Sequence, residues 1–168
     1  VVCPTQDRDA VRGIIDAAQR KYPAQAFIIH AQTDWPKRGY LWQQCMKLNA
    51  DVFSDATYIL HMDSDVFIAK PTDVADYFVD GKPGWMWSWY GDIEGQTPWK
   101  EVTEKALGVK VEREYMRAMP FVIHRDTFAL TRQALPDGYL QKCEAFSEFN
   151  AMGHVAYTYQ QHLYTFID

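Results

Sequence analysis

The chain has 168 residues with 17 basic and 22 acidic side chains, a formal charge of -5 and no basic run, which argues against a surface that binds a phosphate backbone, so no nucleic-acid partner is expected. Its length suits a single domain spanning 1–168 with a proper core, and a 48% hydrophobic share without low-complexity tracts predicts a globular fold. No apolar stretch approaches the ~20 residues that cross a bilayer, so no membrane span is expected.

Val1-Val2-Cys3-Pro4 lacks both a Met and the layout of a secretory signal, so the chain reads as a processed or excised piece of something longer. Cys3, Cys45 and Cys143 are odd in number and widely spaced, which suggests neither a disulfide framework nor a zinc pair. Reduced core thiols in a cytoplasmic setting are expected.

In chain order, Val1 to Thr5 predicts a strand, Gln6 to Asp9 a polar loop, and the following segment a helix with Val11, Ile14, Ile15 and Ala18 on one face. Asp7 or Asp9 suits its N-cap. The loop after a first strand is also a place where an α/β sheet holds a nucleotide base or ribose. Ala24 to His30 reads as the second strand, and Asp34-Trp35-Pro36 as a turn. A helix is predicted from about Gly39 to Phe53, with Leu41, Cys45, Leu48 and Val52 facing the core. Gln43, Gln44 and Lys47 share another face. Solvation is the usual fate of such residues, and for Lys47 it is the plainer expectation.

Ala56 to Phe67 is the stretch around which the rest is arranged. Thr57-Tyr58-Ile59-Leu60-His61-Met62 predicts a buried central strand ending in Asp63-Ser64-Asp65, with Val66-Phe67-Ile68 beyond. Open α/β sheets place ligands beyond the carboxyl ends of their strands. Two adjacent carboxylates repel unless a divalent cation lies between them or bridges them to phosphate oxygens. A D-x-D triplet also arises by chance as a solvated turn, and Asp7-Arg8-Asp9 is a second one here. Placed inside an apolar segment, Asp63-Ser64-Asp65 favours a metal and diphosphate site, because uncompensated charge there is costly.

Thr72 or Asp73 is expected to cap a short helix running to Phe78, which ends at Asp80-Gly81. Gly84 to Tyr90 predicts a strand with Trp85, Trp87 and Trp89 on one side. At least two of these suit the core, whereas Trp89 or Tyr90 at the strand end could stack on a sugar ring. Gly91 to Pro98 is a glycine-punctuated acidic loop suited to a mobile lid. A helix over Trp99–Leu107, a strand over Arg117–His124 and a helix over Arg125–Leu135 follow, the last stopped by Pro136-Asp137-Gly138. Phe146 to His154 then leads into an aromatic-rich tail. The alternation of strands and helices predicts a mostly parallel central sheet flanked by helices on both faces.

Gln43-Gln44-Cys45-Met46-Lys47-Leu48, Tyr58 to Asp65, Lys70-Pro71, and Ser147-Glu148-Phe149 with Gly153 form an ordered set over nearly the whole chain. This set resembles nucleotide-sugar glycosyltransferases of the GT-A fold, most of all a small bacterial and viral group in which a Gln-Gln-x-x-Lys-Leu helix precedes the D-x-D strand. The resemblance implies a Rossmann-like α/β domain that moves a sugar from a nucleotide-sugar donor, commonly a UDP-sugar, to a glycan or other hydroxyl acceptor. It further implies a manganese or magnesium ion on Asp65 and Asp63, with a late histidine as third ligand, for which His154 and His162 both qualify by position and His162 is preferred, although a packed or surface residue is the plainer expectation for it. Thr5, Asp7 and Arg8 would hold base and ribose, Gln44, Lys47, Asp63 and Ser64 would contact the donor, and Glu148 or Asp92 would serve as base or acceptor contact. For Glu148 the plainer expectation is an acid at a helix start after Ser147.

Two other classes fit parts of the pattern. Asp63-Ser64-Asp65-Val66 matches the opening motif of haloacid-dehalogenase-type phosphohydrolases, in which the first Asp is the nucleophile and the second the general acid, but the late acidic pair of that class is missing. The tryptophan segment would also suit a carbohydrate-binding module without chemistry.

Overall fold

The computed structural model of the chain describes residues 1–24, 28, 30–32, 39–63, 66–95, 97–142 and 145–168. These form a mixed α/β structure divided into two compact units, Val1–Arg38 and Gly39–Asp168. No helix among the described residues is long and apolar enough to cross a membrane.

The first unit contains β1 (Val2–Pro4), α1 (Arg8–Lys21) and β2 (His30–Gln32). The two strands pair in parallel, with Cys3 opposite Ala31, and α1 provides the crossover that parallel pairing demands. Cys3 and Ile15 are buried, whereas Ile14, one position round the helix, is exposed. The apolar stripe is therefore narrower than the sequence spacing predicts. Asp7 holds the N-cap position without making a capping bond, and Asp9 lies in the first turn, where the helix dipole favours a negative charge. Positions 25–27 and 29 of the expected second strand, and the Asp34-Trp35-Pro36 turn, lie outside the described residues. The pairing that is described begins at His30.

The second unit runs through α2 (Tyr40–Leu48), β3 (Tyr58–His61), β4 (Phe78–Val79), β5 (Lys82–Met86), β6 (Ser88–Trp89), α3 (Pro98–Leu107), β7 (Arg113–Glu114), β8 (Phe121–His124), α4 (Arg125–Ala134), α5 (Tyr139–Lys142), α6 (Glu148–Tyr159) and β9 (Thr165–Ile167). Pairing is antiparallel for β3 with β8, β4 with β5 and β6 with β7, and parallel for β5 with β9. The sequence signals for α3 and α4 match closely. Pro98 at the first position and Gly108 in the left-handed region delimit α3, and Pro136 follows the end of α4. The expected helix after Lys70-Pro71 is a single 3-10 turn, Val74–Tyr77. Asp73 caps it by accepting from the Ala75 N–H, and Asp76 reaches back to the Asp73 N–H.

Helix α2 stops earlier than predicted. Asn49 Nδ2 donates to the Cys45 carbonyl, and a tighter 3-10 turn over Ala50–Val52 carries Val52 out to solvent rather than into the core. Arg132 of α4 closes this end with a bidentate pair to Asp51 at 2.5 and 2.7 Å and a 2.8 Å bond to the Leu48 carbonyl.

Helix α6 lies at the centre of the unit. From Glu148 to Ala156 every residue but His154 is buried, and α2, α3 and α4 all pack against it. Gly153 lets α6 approach the segment just after β7, because a Cβ there would lie 2.3 Å from Tyr115 Cβ. Trp85 is buried among Phe121, Tyr164 and Phe166, and its indole N–H donates to the Tyr115 carbonyl. It is core, as expected for at least part of the tryptophan row.

Strand β3 departs from the expectation of a fully buried central strand. Its alternate residues Tyr58 and Leu60 are 39% and 46% exposed, while His61 is buried and Ile59 intermediate. Among the described residues β3 pairs with β8 alone, and of its two faces the one carrying Ile59 and His61 is the better covered. Val66-Phe67-Ile68 likewise is no buried continuation, since Phe67 is 82% exposed.

Candidate functional site

Asp63 follows β3 by two residues, so the strand delivers a carboxylate to its own carboxyl end. Helix α2 sends Lys47 to meet it, with Nζ 2.5 Å from Asp63 Oδ1. The same ammonium lies 3.1 Å from Oε1 of Glu148, the first residue of α6, and 4.8 Å from the centre of the Phe149 ring. One cation thus joins two acids from three elements that are distant in sequence. The Lys47 side chain is only 14% exposed, so the solvated-face expectation for it is overturned. The Phe149 ring under the ammonium supplies apolar cover at the end of this side chain.

Burial dominates the electrostatics. It would lower the Lys47 pKa, but the Glu148 and Asp63 carboxylates more than reverse this and leave the ammonium above its ordinary value. Burial raises the Glu148 carboxyl, which Lys47 draws only part of the way back while Asp63 raises it further. His61, packed between Phe128 and Phe149, is lowered to about 4 by burial and by Lys47, against a weaker opposite pull from Asp63. It is therefore neutral at pH 7.

Several polar atoms here have no hydrogen-bond partner among the described residues: both amide atoms of the fully buried Gln44, Glu148 Oε2 and His61 Nε2. Tyr40, one turn before Gln44 on α2, has a raised pKa because of burial and then Glu148; the Gln44 amide beside its hydroxyl acts against this without making a well-directed bond. Buried amides and carboxylates are ordinarily satisfied. Orphaned atoms beside an ion pair leave donors and acceptors open to water or a ligand.

The chain belongs to the DUF6492 family. The family model, described as a family of unknown function, matches residues 1–162. No curated protein and no solved structure matches the chain.

Of the residues expected to act, this DUF6492 chain brings together Gln44, Lys47, Asp63 and Glu148. Ser64 and Asp65 lie outside the described residues. Thr5, Asp7 and Arg8 belong to the first unit, where all three are exposed at the start of α1. Asp92 sits exposed in the 3-10 turn Tyr90–Asp92, and its side chain makes no hydrogen bond or ion pair among the described residues. His162 is exposed in the turn Gln161–Leu163, and no group of three or more metal-binding side chains occurs among the described residues. Glu148 does open a helix after Ser147, as the plainer expectation has it, and it also grips Lys47.

Cys3 and Cys45 are buried, as expected of core residues, and Cys143 lies outside the described residues. The possible sugar platform is altered: the Arg113 guanidinium lies 4.1 Å from the Trp89 ring, and Tyr90 is buried. Tyr40 and His61 are the members of the cluster that sequence reasoning passed over. Their signal was present, with Tyr40, Gln44 and Lys47 at helical spacing and His61 two residues before Asp63.

Proposed function

We propose that this chain is a metal-dependent glycosyltransferase with a GT-A-type, mostly parallel Rossmann-like arrangement, moving a sugar from a nucleotide-sugar donor, preferably a UDP-sugar, to a hydroxyl acceptor. The Lys47 ammonium shared between Asp63 and Glu148 is the observation that carries this reading. A strand-end carboxylate, a half-desolvated cation and unsatisfied amide groups together suit a ligand that is both anionic and rich in hydroxyls.

The donors fit a hard divalent cation such as manganese or magnesium: Asp63 offers carboxylate oxygen, and Asp65 would supply the second carboxylate, with diphosphate oxygens and water completing the shell. When bound, the cation stabilises the negative charge that develops on the departing nucleoside diphosphate. Lys47 then contacts the diphosphate, held in place by Glu148 and by the Phe149 ring. Gln44 binds a hydroxyl of the donor. Of the two candidate bases Glu148 is favoured over Asp92, because it touches the cluster and its burial makes it more basic than a surface carboxylate.

A thermal-shift series with UDP, with and without manganese, tests the proposal. A ligand at about 100 times its Kd stabilises by ~2.7 kcal/mol, which is roughly 5–10 °C for a chain of this size. The shift should need the metal and vanish in Asp65→Ala. Absence of any shift across a panel of nucleoside diphosphates with manganese or magnesium would rule the transferase out. The Lys47–Asp63 pair also suits a nucleophilic carboxylate, the haloacid-dehalogenase reading; magnesium-dependent hydrolysis of an aryl phosphate would select it.

A further inference from the structure

Away from the Lys47 cluster, the second unit holds a groove of about 330 Å³ lined by Lys110, Glu112, Arg113, His154, Tyr157 and Gln161 among others. It lies toward the other end of α6, His154 being about 9 Å along the helix from Glu148 at ~1.5 Å per residue. Arg113 dominates it. The guanidinium carbon is 4.8 Å from the Trp87 ring, 4.1 Å from Trp89 and 4.3 Å from Tyr157. Three aromatic faces around one cation explain why it tolerates partial burial.

They do not satisfy its edge. Arg113 has no ion pair among the described residues, and its Nε is buried without a hydrogen-bond partner. The neighbouring acids are engaged elsewhere or open to solvent: Glu114 accepts from Asn150 Nδ2, and Glu112 is exposed on the groove's rim. The Trp87 and Trp89 rings stand at 83° to each other, so they border the guanidinium from two directions, and the Tyr115 hydroxyl lies beside it as well; the rest of the group lines the groove. The N–H groups of a guanidinium suit the oxygens of a carboxylate or phosphate. Lys110, 91% exposed and only loosely paired to Glu104 at 3.3 Å, is free to swing over the same groove. His154 has its pKa lowered by burial and then by Arg113, so at neutral pH it adds a neutral ring N–H and not a charge.

We propose that this groove is a second ligand site that binds an oxyanion, a phosphate or a carboxylate, through the Arg113 fork with help from Lys110. It is independent of the transferase reading. Calorimetry with inorganic phosphate and, in a second arm, with glucuronate reads it directly, at constant ionic strength in chloride and without metal or nucleotide; glucose is the neutral control. Saturable binding of phosphate, glucuronate or both is expected, and whichever arm binds names the source of the oxyanion. Arg113→Gln should abolish it, Lys110→Glu should weaken it at least fivefold, and Asp63→Asn should leave it unchanged. Lys110 is so exposed that its replacement keeps the fold even if Arg113→Gln does not. No saturable binding of either anion would show that Arg113 is only a structural staple, and binding unaltered by both Lys110→Glu and Arg113→Gln would show that the anion sits elsewhere, either of which overturns the proposal.

Discussion

Replacing Lys47 with Met keeps the length and apolar stem of the side chain but removes the charge between Asp63 and Glu148. Glu148 is 2% exposed, so its carboxylate then faces the interior with no cation at all. It responds by taking up a proton, and this bounds the loss of stability. The carboxyl's ordinary value is 4.5, and each pH unit is worth about 1.4 kcal/mol. Protonating it at pH 7 therefore costs at most ~3.4 kcal/mol, within the roughly 3–5 kcal/mol typical of breaking a buried pair.

The sign of the pH dependence follows from linkage. A carboxyl whose folded pKa lies above its unfolded value binds more protons in the native state, so its contribution falls as pH rises above about 4.5. Burial already raises Glu148 in the wild type, so urea unfolding of wild type and Lys47→Met should differ by up to ~3 kcal/mol at pH 7 and by under ~1 kcal/mol at pH 4.5. Adding Glu148→Gln to Lys47→Met should remove most of that pH dependence. A difference between wild type and variant that stays constant over this range, or that is within error of zero at pH 7, would refute the buried triad.

Gly153→Ala sets two known effects against each other. Helix propensity favours Ala by about 1 kcal/mol, but the new Cβ would lie 2.3 Å from Tyr115 Cβ and 2.4 Å from its Cγ, an overpacking worth ~1–3 kcal/mol or more. A net loss in urea unfolding is expected, and a gain would show that α6 and Tyr115 do not meet so closely. Tyr164→Phe removes the hydroxyl that accepts from the His124 N–H at 2.9 Å and meets Thr127 Oγ1 at 2.5 Å. Stability should fall by ~1–3 kcal/mol with faster hydrogen exchange at the His124 amide; unchanged exchange would contradict the bond. Arg132→Lys keeps the charge but not the fork that holds both Asp51 oxygens. A loss of ~1–2 kcal/mol in thermal unfolding is expected, and a neutral result would show that the turn after α2 does not depend on it.

What the sequence determined by itself was local. Pro98 and Gly108 delimit α3 because one residue needs no N–H and the other accepts a left-handed backbone. Asp73 caps its turn because a side-chain oxygen reaches the N–H two residues on, and Asp63 follows a strand because Tyr58 to His61 are β-prone. Long-range association decided the rest. Nothing within ten residues of Lys47 indicates that it will be sealed between two acids, because Glu148 is a hundred positions away and arrives only when α6 packs on α2. The same holds for Arg113, whose aromatic enclosure draws Trp87 and Trp89 from one strand segment and Tyr157 from a distant helix. Even β3 shows the limit, since alternation sets which residues share a face, but only the number of neighbouring strands and helices decides whether that face is covered.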